Sequence, residues 1–386
     1  MSSYVFIGNS TKPNQEQLND RSLVKFPNVS KPCLESALSL GYDVWVGINR
    51  NNPEELKAEL PVHLYDSHTY RSLTDFKENW IAFKNLNTLI KKENIEVIHC
   101  NTPIGGIIGR FAGKFNGVNK IIYTAHGFHF YKGAPLFNNT VLKWAEKLMA
   151  RWTDVIITMN QEDYEAAQKF KLRNNGKVYY VPGVGIDTEY FANTEVNKNE
   201  KRASLGLNDS DFVLISAGDL VERKNYKVAF EAIAKTNNKN IKYLICGTGE
   251  QETELKEVTK KLQIDNQVKF LGFQTDLNEL MKISDAFLFT TKQEGLPRSL
   301  MEAMASGLPC IVSEIRGNVD LMSEGKGGLL CKSDDIEAFK EAINILVNNS
   351  SLRIQMSDYN KKAIKKFNVE NVKNKINKIY ENELKG

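Results

Sequence analysis

Short apolar segments alternate with longer amphipathic segments along most of the chain. Eleven segments rich in Val, Ile, Phe and Tyr have the length and composition of strands: YVFIG (4–8), DVWVGIN (43–49), EVIHCN (96–101), KIIYTAH (120–126), DVIITMN (154–160), VYYVPG (178–183), FVLISAG (212–218), KYLICG (242–247), VKFLGF (268–273), AFLFTT (286–291) and PCIVSE (309–314). Continuous apolar strands separated by helices are typical of parallel sheets covered on both faces. The pattern therefore predicts an α/β fold with two doubly wound domains in tandem.

The domain boundary is predicted where the apolar periodicity stops. The segment ANTEVNKNEKR (192–202) is polar and charged, which is typical of a linker. The first domain is accordingly assigned to residues 1–192 and the second to residues 193–367.

The last segment, about residues 368–386, has apolar side chains at helical spacing: Val369, Val372, Ile376, Ile379 and Tyr380. We expect this helix to pack back on the first domain. Its many lysines suit a solvated face, with an anionic partner as the alternative.

A second polar segment, GNSTKPNQEQLNDRS (8–22), directly follows the first predicted strand. Its composition favours a long mobile loop at the carboxyl edge of the sheet, where ligands of such folds bind. Gly8 and Asn9, at the start of this loop, are candidate ligand contacts.

Composition narrows the function classes. The length of 386 residues suits two domains, and 41% hydrophobic with 25% charged residues is typical of a folded globular protein. A net charge of +4, with both signs interspersed, gives no support to nucleic-acid binding. The five scattered cysteines form no CxxC or Cys/His cluster, so we expect reduced core thiols and no metal site. No signal peptide or spanning segment is recognised, so a cytoplasmic protein is expected.

One segment, QEGLPRSLMEAMASGLPC (293–310), carries candidate chemistry. Glu294 falls in the loop after a predicted strand, and Glu302 falls about one turn into the next helix. The helix start, with backbone N–H groups from Leu296 to Leu300, favours a phosphate. A nucleoside diphosphate fits this arrangement, with its ribose near Glu302 and the group it carries near Glu294. The alternative is that both glutamates simply face water. We expect neither in a dry core.

Several motifs then occur in order along the chain. EGLPRSLMEAMASGLP is preceded by VKFLGFQTDLNELMKISDAFLFTT and followed by SEIRGNVDLM, and PGVGIDTEYF, GDLVERKNYKVAFEAI and LICGTGEQETEL lie upstream. Together they resemble the family 4 glycosyltransferases, retaining enzymes of the GT-B fold, over essentially the whole chain. TAHGFHFYKG and SEIRGN resemble the branch that assembles bacterial capsular polysaccharides and exopolysaccharides.

This resemblance implies a fold and an activity. Two Rossmann-like domains would face a central cleft, the first binding the acceptor and the second the nucleotide-sugar donor, with UDP as the expected nucleotide. The enzyme would transfer a hexose with retention, without a metal or cofactor, to a polyprenyl-diphosphate-linked saccharide. Such an enzyme would be peripheral on the inner face of the cell membrane.

The resemblance also implies residue roles. Glu294 would bind hydroxyls of the donor sugar, and Glu302 the ribose. Lys224, with Arg223 nearby, would hold the diphosphate and stabilise charge on the leaving group. His126 would reach the donor sugar from the first domain. The other implied donor contacts flank the nucleotide base or form the helix start: Gly272, Phe273, Gly295, Leu296, Pro297, Arg298 and Ser299.

One position departs from the family pattern, and simpler interpretations stay open. Many members carry an arginine where this chain has Asp219, so Arg223 or Arg298 would replace that phosphate ligand, or Lys224 would act alone.

His126 is alternatively a core histidine, and Arg223 and Lys224 are alternatively surface charges. The alternative functions are a nucleotide-sugar epimerase or phosphorylase on the same fold, or a catalytically silent partner subunit.

The segment APLFNNTVLKWAEKLMARWTDV (134–155) combines apolar side chains, two tryptophans and basic residues. Such a helix suits the face of an anionic membrane. The alternative is a helix packed in the core with its lysines in water.

Overall fold

The computed structural model describes residues 2–101 and 103–385, so the outer ends predicted for the domains, at 1 and 386, lie outside the described residues. The chain forms two compact units. The first consists of residues 2–184 together with 370–385, and the second of residues 185–369.

The first unit contains, among its described residues, a seven-stranded parallel sheet in the order β3-β2-β1-β4-β5-β6-β7. Its strands are β1 Ser3–Ile7, β2 Asp43–Ile48, β3 His63–Asp66, β4 Ile95–Asn101, β5 Lys120–Ala125, β6 Val155–Thr158 and β7 Lys177–Tyr180. The helices that cover it are α1 Gln15–Leu18, α2 Lys31–Ser39, α3 Phe76–Lys92, α4 Pro103–Asn116, α5 Lys143–Ala150, α6 Gln161–Ala167 and, at the end of the chain, α16 Val369–Leu384.

The second unit is built in the same way around a six-stranded parallel sheet, again counted over the described part of the chain, in the order β10-β9-β8-β11-β12-β13. Its strands are β8 Phe212–Ala217, β9 Ile241–Cys246, β10 Val268–Gly272, β11 Ala286–Phe289, β12 Cys310–Ser313 and β13 Gly328–Cys331. Its helices are α7 Thr188–Ala192, α8 Lys198–Ser204, α9 Tyr226–Thr236, α10 Glu252–Lys261, α11 Leu277–Ile283, α12 Arg298–Ala305, α13 Asn318–Leu321, α14 Ile336–Asn348 and α15 Ser350–Ala363.

The predicted pair of doubly wound α/β units is confirmed, and all eleven predicted strands are present. The central strands are buried along their whole length, as in β8, which explains their continuous apolar sequences. Two edge strands, β3 and β13, are additional to the prediction. All five cysteines are buried and free.

The unit boundary lies earlier than the predicted linker. Residues 185–192, including Ile186 and Phe191, belong to the core of the second unit. The boundary therefore falls between residues 184 and 185 instead of after residue 192. Ile186 pairs with Asn368 in an isolated bridge, so both ends of the second unit lie side by side.

The polar segment 8–22 is more structured than the long loop predicted there. It contains the short helix α1, which begins with a capping box between Asn14 and Gln17. Ser10 also pairs with Tyr70 in a bridge. No helix in residues 2–101 and 103–385 has both the length and the apolarity that crossing a bilayer requires.

The last helix completes the core of the first unit. Val372, Ile376, Ile379 and Tyr380 of α16 are buried against the sheet. The hydroxyl of Tyr380 lies 2.7 Å from that of Tyr4 and 2.5 Å from Nδ1 of His99. His99 Nε2 lies 2.7 Å from the hydroxyl of Thr124, so the polar network links helix α16 to three neighbouring strands.

We expect Tyr380→Phe to destabilise the first unit by about 1–3 kcal/mol, because the substitution leaves buried groups of Tyr4 and His99 without their partner. All four tryptophans lie between residues 45 and 152, so their fluorescence during denaturant unfolding reports this unit. Thr11→Val, which removes a hydroxyl at an exposed position of the first unit, is the control and should change stability by less than about 0.5 kcal/mol. Equal unfolding midpoints for Tyr380→Phe and the parent would contradict the role of the network.

Candidate functional site

A pocket of about 390 Å³ opens in the second unit at the carboxyl ends of β8, β9, β10 and β11. Seven of the residues singled out from the sequence line it: Lys224, Phe273, Glu294, Pro297, Arg298, Ser299 and Glu302. The other lining residues are Ala217, Gly218, Asp219, Cys246, Gly247, Thr248, Gln274 and Leu277. Parallel strands place their carboxyl ends at one edge of the sheet, which is why residues distant in sequence meet here.

Glu294 and Lys224 form an ion pair at this pocket. Nζ of Lys224 lies 2.7 Å from Oε1 of Glu294, and the two side chains are 8% and 12% exposed. Nη1 of Arg223 donates to the same oxygen at 3.0 Å. Lys224 also lies 4.6 Å from the centre of the Phe289 ring. The buried position of Lys224 rules out the interpretation of this residue as a surface charge.

Two threonines that were not singled out from the sequence, Thr290 and Thr291, connect the loops that carry Lys224 and Glu294. Thr291 donates its hydroxyl to Oε1 of Glu294 at 2.9 Å and contacts the carbonyl of Arg223 at 3.1 Å. Thr290 donates to the carbonyl of Asn225 at 2.9 Å. Two hydroxyl residues directly after an apolar strand are the signal that could have identified them, because threonine side chains readily bond backbone groups in turns and loops.

Glu302 is buried, contrary to the expectation that neither glutamate lies in a dry core. The residue is 6% exposed in helix α12, and burial raises the pKa of its carboxyl, which the neighbouring Arg298 guanidinium opposes. Nε of Arg298 donates to Oε1 of Glu302 at 2.7 Å. The burial arises because α12 packs into the core of the unit from Leu300 to Ala305, while its first residues, Arg298 and Ser299, line the pocket.

Two glycines allow the pocket floor to form. Gly218 has φ +155°, and a Cβ there would lie 3.2 Å from Nζ of Lys224. Gly247 has φ +143°, and a Cβ would lie 2.0 Å from the carbonyl oxygen of Gly218. Side chains at these positions would therefore separate the loops after β8 and β9 and crowd Lys224.

The remaining predicted donor residues lie at or beside the pocket. Arg298 lines it together with Asp219, whereas Arg223 reaches Glu294 from the side and is not part of the wall. Phe273 is 79% exposed, which leaves its ring face accessible. Gly272, Gly295 and Leu296 adjoin lining residues without lining the pocket themselves.

The first unit has its own pocket, of about 760 Å³. Gly8, Asn9 and His126 all line it, so the three candidates from this unit lie together. Nε2 of His126 is buried and has no hydrogen-bond partner among the described residues. Burial lowers the pKa of His126 to about 4, so the imidazole is neutral near pH 7. The predicted reach of His126 to the donor sugar stays a prediction.

The segment around Trp144 is helical, with a π-helical turn Asn138–Leu142 leading into α5. Ala150, at the end of α5, is buried in the core, but most of the large apolar side chains of the segment are not. Trp144 is 65% exposed, and the other exposed apolar residues of this segment are Leu136, Phe137, Val141 and Leu148.

Within the described residues, no group of three or more His, Cys, Asp or Glu side chains is placed to hold a metal ion.

Comparison with known proteins decides the family. Residues 197–363 match the model of glycosyl transferases group 1, and residues 28–160 match that of glycosyl transferase 4-like proteins. The chain is 31% identical over 295 residues to EpsD of Bacillus subtilis, covering 75% of this chain and 77% of that protein. The chain belongs to the family 4 glycosyltransferases.

A second relative of the transferase has a more specific description. The Escherichia coli UDP-Gal:alpha-D-GlcNAc-diphosphoundecaprenol alpha-1,3-galactosyltransferase is 31% identical over 302 residues, which are 77% of this chain and 78% of that enzyme. Among solved structures, Anabaena Alr3699/HepE in complex with UDP-glucose superposes with a TM-score of 0.75 at 18% identity, covering 99% of this chain and all of that one. This likeness confirms the GT-B type of fold predicted for the transferase.

Proposed function

We propose that the transferase moves a sugar from a UDP-sugar to a polyprenyl-diphosphate-linked saccharide in the assembly of a bacterial surface polysaccharide, with retention of anomeric configuration and without a metal. The binding of a UDP-sugar donor is supported by one observation: a single pocket at the start of helix α12 is lined by Lys224, Glu294, Arg298 and Glu302. The acceptor half is supported by the description of the Escherichia coli relative and by the motifs around His126.

In this proposal the donor diphosphate binds at the N-terminus of α12, where backbone N–H groups and the helix dipole favour an anion. Lys224 and Arg298 supply positive charge, and Arg298 takes the part of the arginine that Asp219 replaces. The ribose hydroxyls donate to Glu302, and the base stacks on the exposed ring of Phe273. UDP as the nucleotide is supported by the complex of the Anabaena structural neighbour.

Glu294 binds hydroxyls of the transferred sugar and does not attack it. Its Oε1 accepts from two cations and one hydroxyl, which stabilises the carboxylate and makes that oxygen a poor nucleophile. In the proposed front-face step, the bond from the anomeric carbon to the phosphate oxygen breaks, and a bond to the acceptor oxygen forms on the same face. The acceptor proton passes to the leaving diphosphate, whose charge Lys224 stabilises.

The metal-independent step predicts that transfer survives chelation, since Lys224 and Arg298 supply the counter-charge. Turnover of the purified transferase with a UDP-sugar should be unchanged by EDTA. Loss of turnover in EDTA that magnesium or manganese restores would contradict this part of the proposal.

Substitutions of Glu294 and Glu302 should have different effects on the rate of transfer and on UDP binding. Glu294→Gln weakens a charge-assisted bond to the reacting sugar, so single-turnover rates should fall about ten- to a hundredfold while UDP binding stays normal. Glu302→Ala should weaken binding of both UDP and intact donor, because the ribose belongs to both. Calorimetric titration with UDP, beside single-turnover rates, measures each effect.

Glu195→Gln, at an exposed glutamate of the same unit, is the matched control and should leave both quantities unchanged. Normal UDP binding by Glu302→Ala, combined with loss of UDP binding in Glu294→Gln, would reverse the two roles. Consumption of UDP-sugar without an acceptor would instead favour an epimerase or phosphorylase.

The proposed peripheral position rests on the exposed side chains of the first unit. Besides Trp144 and its neighbours, Trp80, Phe111 and Phe115 are 57%, 47% and 67% exposed. The ring of Phe83 lies 5.5 Å from that of Trp80 and 5.3 Å from that of Phe111, which makes the aromatic surface continuous between α3 and α4. Aromatic side chains among lysines suit the interface of an anionic membrane.

The transferase should accordingly co-sediment with vesicles that contain anionic phospholipid at low salt, and salt should release it because the lysine charges are screened. Trp144→Ser combined with Phe137→Ser should reduce the bound fraction at every salt concentration. Ile354→Ser removes an equally exposed apolar side chain from the second unit and should have no effect. Equal binding of the two variants, or no binding of the parent, would remove the membrane assignment.

A further inference from the structure

The first unit holds a second, smaller pocket of about 130 Å³ between α4, the segment after β5, and the helix that contains Trp144. Its walls are mainly apolar and include Ile107, Phe128, Phe130, Leu142, Ala145 and Met149. Nothing in the proposed donor site uses these residues. The pocket is therefore separate from the proposed donor site.

The two charged residues that line this pocket, Arg110 and Glu146, form an ion pair with each other. Arg110 is fully buried, and its guanidinium pairs with the Glu146 carboxylate, with Nη2 at 3.3 Å from Oε2. Its Nε donates to the carbonyl of Gly106 at 2.9 Å, and its guanidinium lies 3.8 Å from the centre of the Tyr123 ring. Apart from His129, which also lines the pocket, a ligand consequently meets an ion pair without net charge and mainly apolar walls, which favours an uncharged apolar group.

The size of the pocket limits what it can hold. An apolar cavity of about 150 Å³ accommodates a benzene molecule in a well-studied protein, so this pocket has room for a hydrocarbon group of about five or six carbons. One isoprene unit has five carbons.

The surroundings of the pocket favour an amphiphile over an uncharged molecule. Leu142, Ala145 and Met149 face the pocket, whereas Val141, Trp144 and Leu148 of the same helix are exposed, so apolar surface continues from the pocket to the solvent side of the helix. At the same helix, Nζ of Lys143 lies 5.6 Å from the centre of the Phe130 ring, which lines the pocket. A cation beside a hydrocarbon pocket complements a molecule with an anionic head on an apolar chain.

We infer that this pocket binds an isoprene unit next to the diphosphate of the polyprenyl acceptor, with Lys143 near the diphosphate. The inference rests on the proposed function, because it takes the acceptor to be a polyprenyl diphosphate. It adds a lipid-binding site that holds the acceptor by its chain, independently of the saccharide.

A binding experiment tests the pocket without any transfer. Geraniol, a ten-carbon isoprenoid alcohol without charge, is titrated into the transferase labelled with ¹³C-methyl methionine. The Met149 resonance, assigned with Met149→Leu, should shift on titration, whereas Met301 in the core of the second unit should not. Ala145→Phe fills the pocket and should abolish the shift, and Ala145→Ser, which conserves volume, should retain it.

Two acceptors that carry the saccharide named for the Escherichia coli relative then measure the effect on the reaction: the geranyl and methyl esters of GlcNAc diphosphate, in detergent without vesicles. The parent should have a KM on the order of tenfold lower for the geranyl ester. Ala145→Phe should raise that KM to the value for the methyl ester and leave kcat unchanged. Ala145→Leu fills the pocket less and serves the same purpose should Ala145→Phe not fold.

The outcomes distinguish a failure of the lipid pocket from a failure of the acceptor used. A Met149 shift that persists in the filled variants, or no shift in the parent, overturns the lipid pocket. Equal KM values of the parent for the two esters overturn it as well. Transfer to neither ester, with the geraniol shift intact, counts against GlcNAc diphosphate as the head group of the acceptor and leaves the apolar pocket standing.

Discussion

The ion pair between Lys224 and Glu294 is the interaction on which the candidate site depends. Both side chains are largely withdrawn from water, so Lys224 would carry a costly uncompensated charge without Glu294, whereas Glu294 without Lys224 would retain Arg223 as its cationic partner. Lys224 comes from the loop after β8 and Glu294 from the loop after β11, so the pair joins two loops at adjacent strands of the sheet. A negatively charged ligand can then replace the Glu294 carboxylate as the partner of Lys224, whose ammonium group is already in position.

The threonines after β11 give this pair its geometry. Thr291 donates to the Glu294 carboxylate and contacts the carbonyl of Arg223 in the loop that carries Lys224, and Thr290 donates to the carbonyl of Asn225 in the same loop. The position of the carboxylate is thus set by the sheet through short polar side chains. Preorganisation of this kind lowers the free energy that ordering would otherwise cost when a ligand binds.

The fold and the location of this site were predictable because they depend on local patterns. Buried central strands such as β8 and β12 have continuous apolar sequences, and the loop–helix segment around Glu294 has turn residues at both ends of a helical stretch. The edge strand β3, with the sequence HLYD, escapes such analysis because it is short, half polar and paired on one side only. The burial of Glu302 was missed for a related reason, since sequence spacing does not reveal how closely the first turn of a helix approaches the core.

The division between the units shows the same limit of local patterns. Residues 185–191 follow the last strand predicted for the first domain and were assigned to that domain, but Ile186 and Phe191 pack in the core of the second unit. The partners of these side chains lie more than a hundred positions later, around Phe367, and no local pattern contains that information. The apolar pocket beside Arg110 is equally non-local, because it forms only when α4 and the Trp144 helix pack together.

The discontinuous first unit sets an order of events during synthesis. Residues 185–369 form a continuous segment with a sheet and core of their own, so this unit can complete its packing as soon as the segment has emerged from the ribosome. The first unit has to wait for α16, which supplies Tyr380 to Tyr4 and His99 and covers one face of the sheet. The first unit is therefore synthesised first but completes its folding last. Until α16 packs, the sheet face that α16 covers and the Cys33 side chain remain accessible to chaperones and proteases.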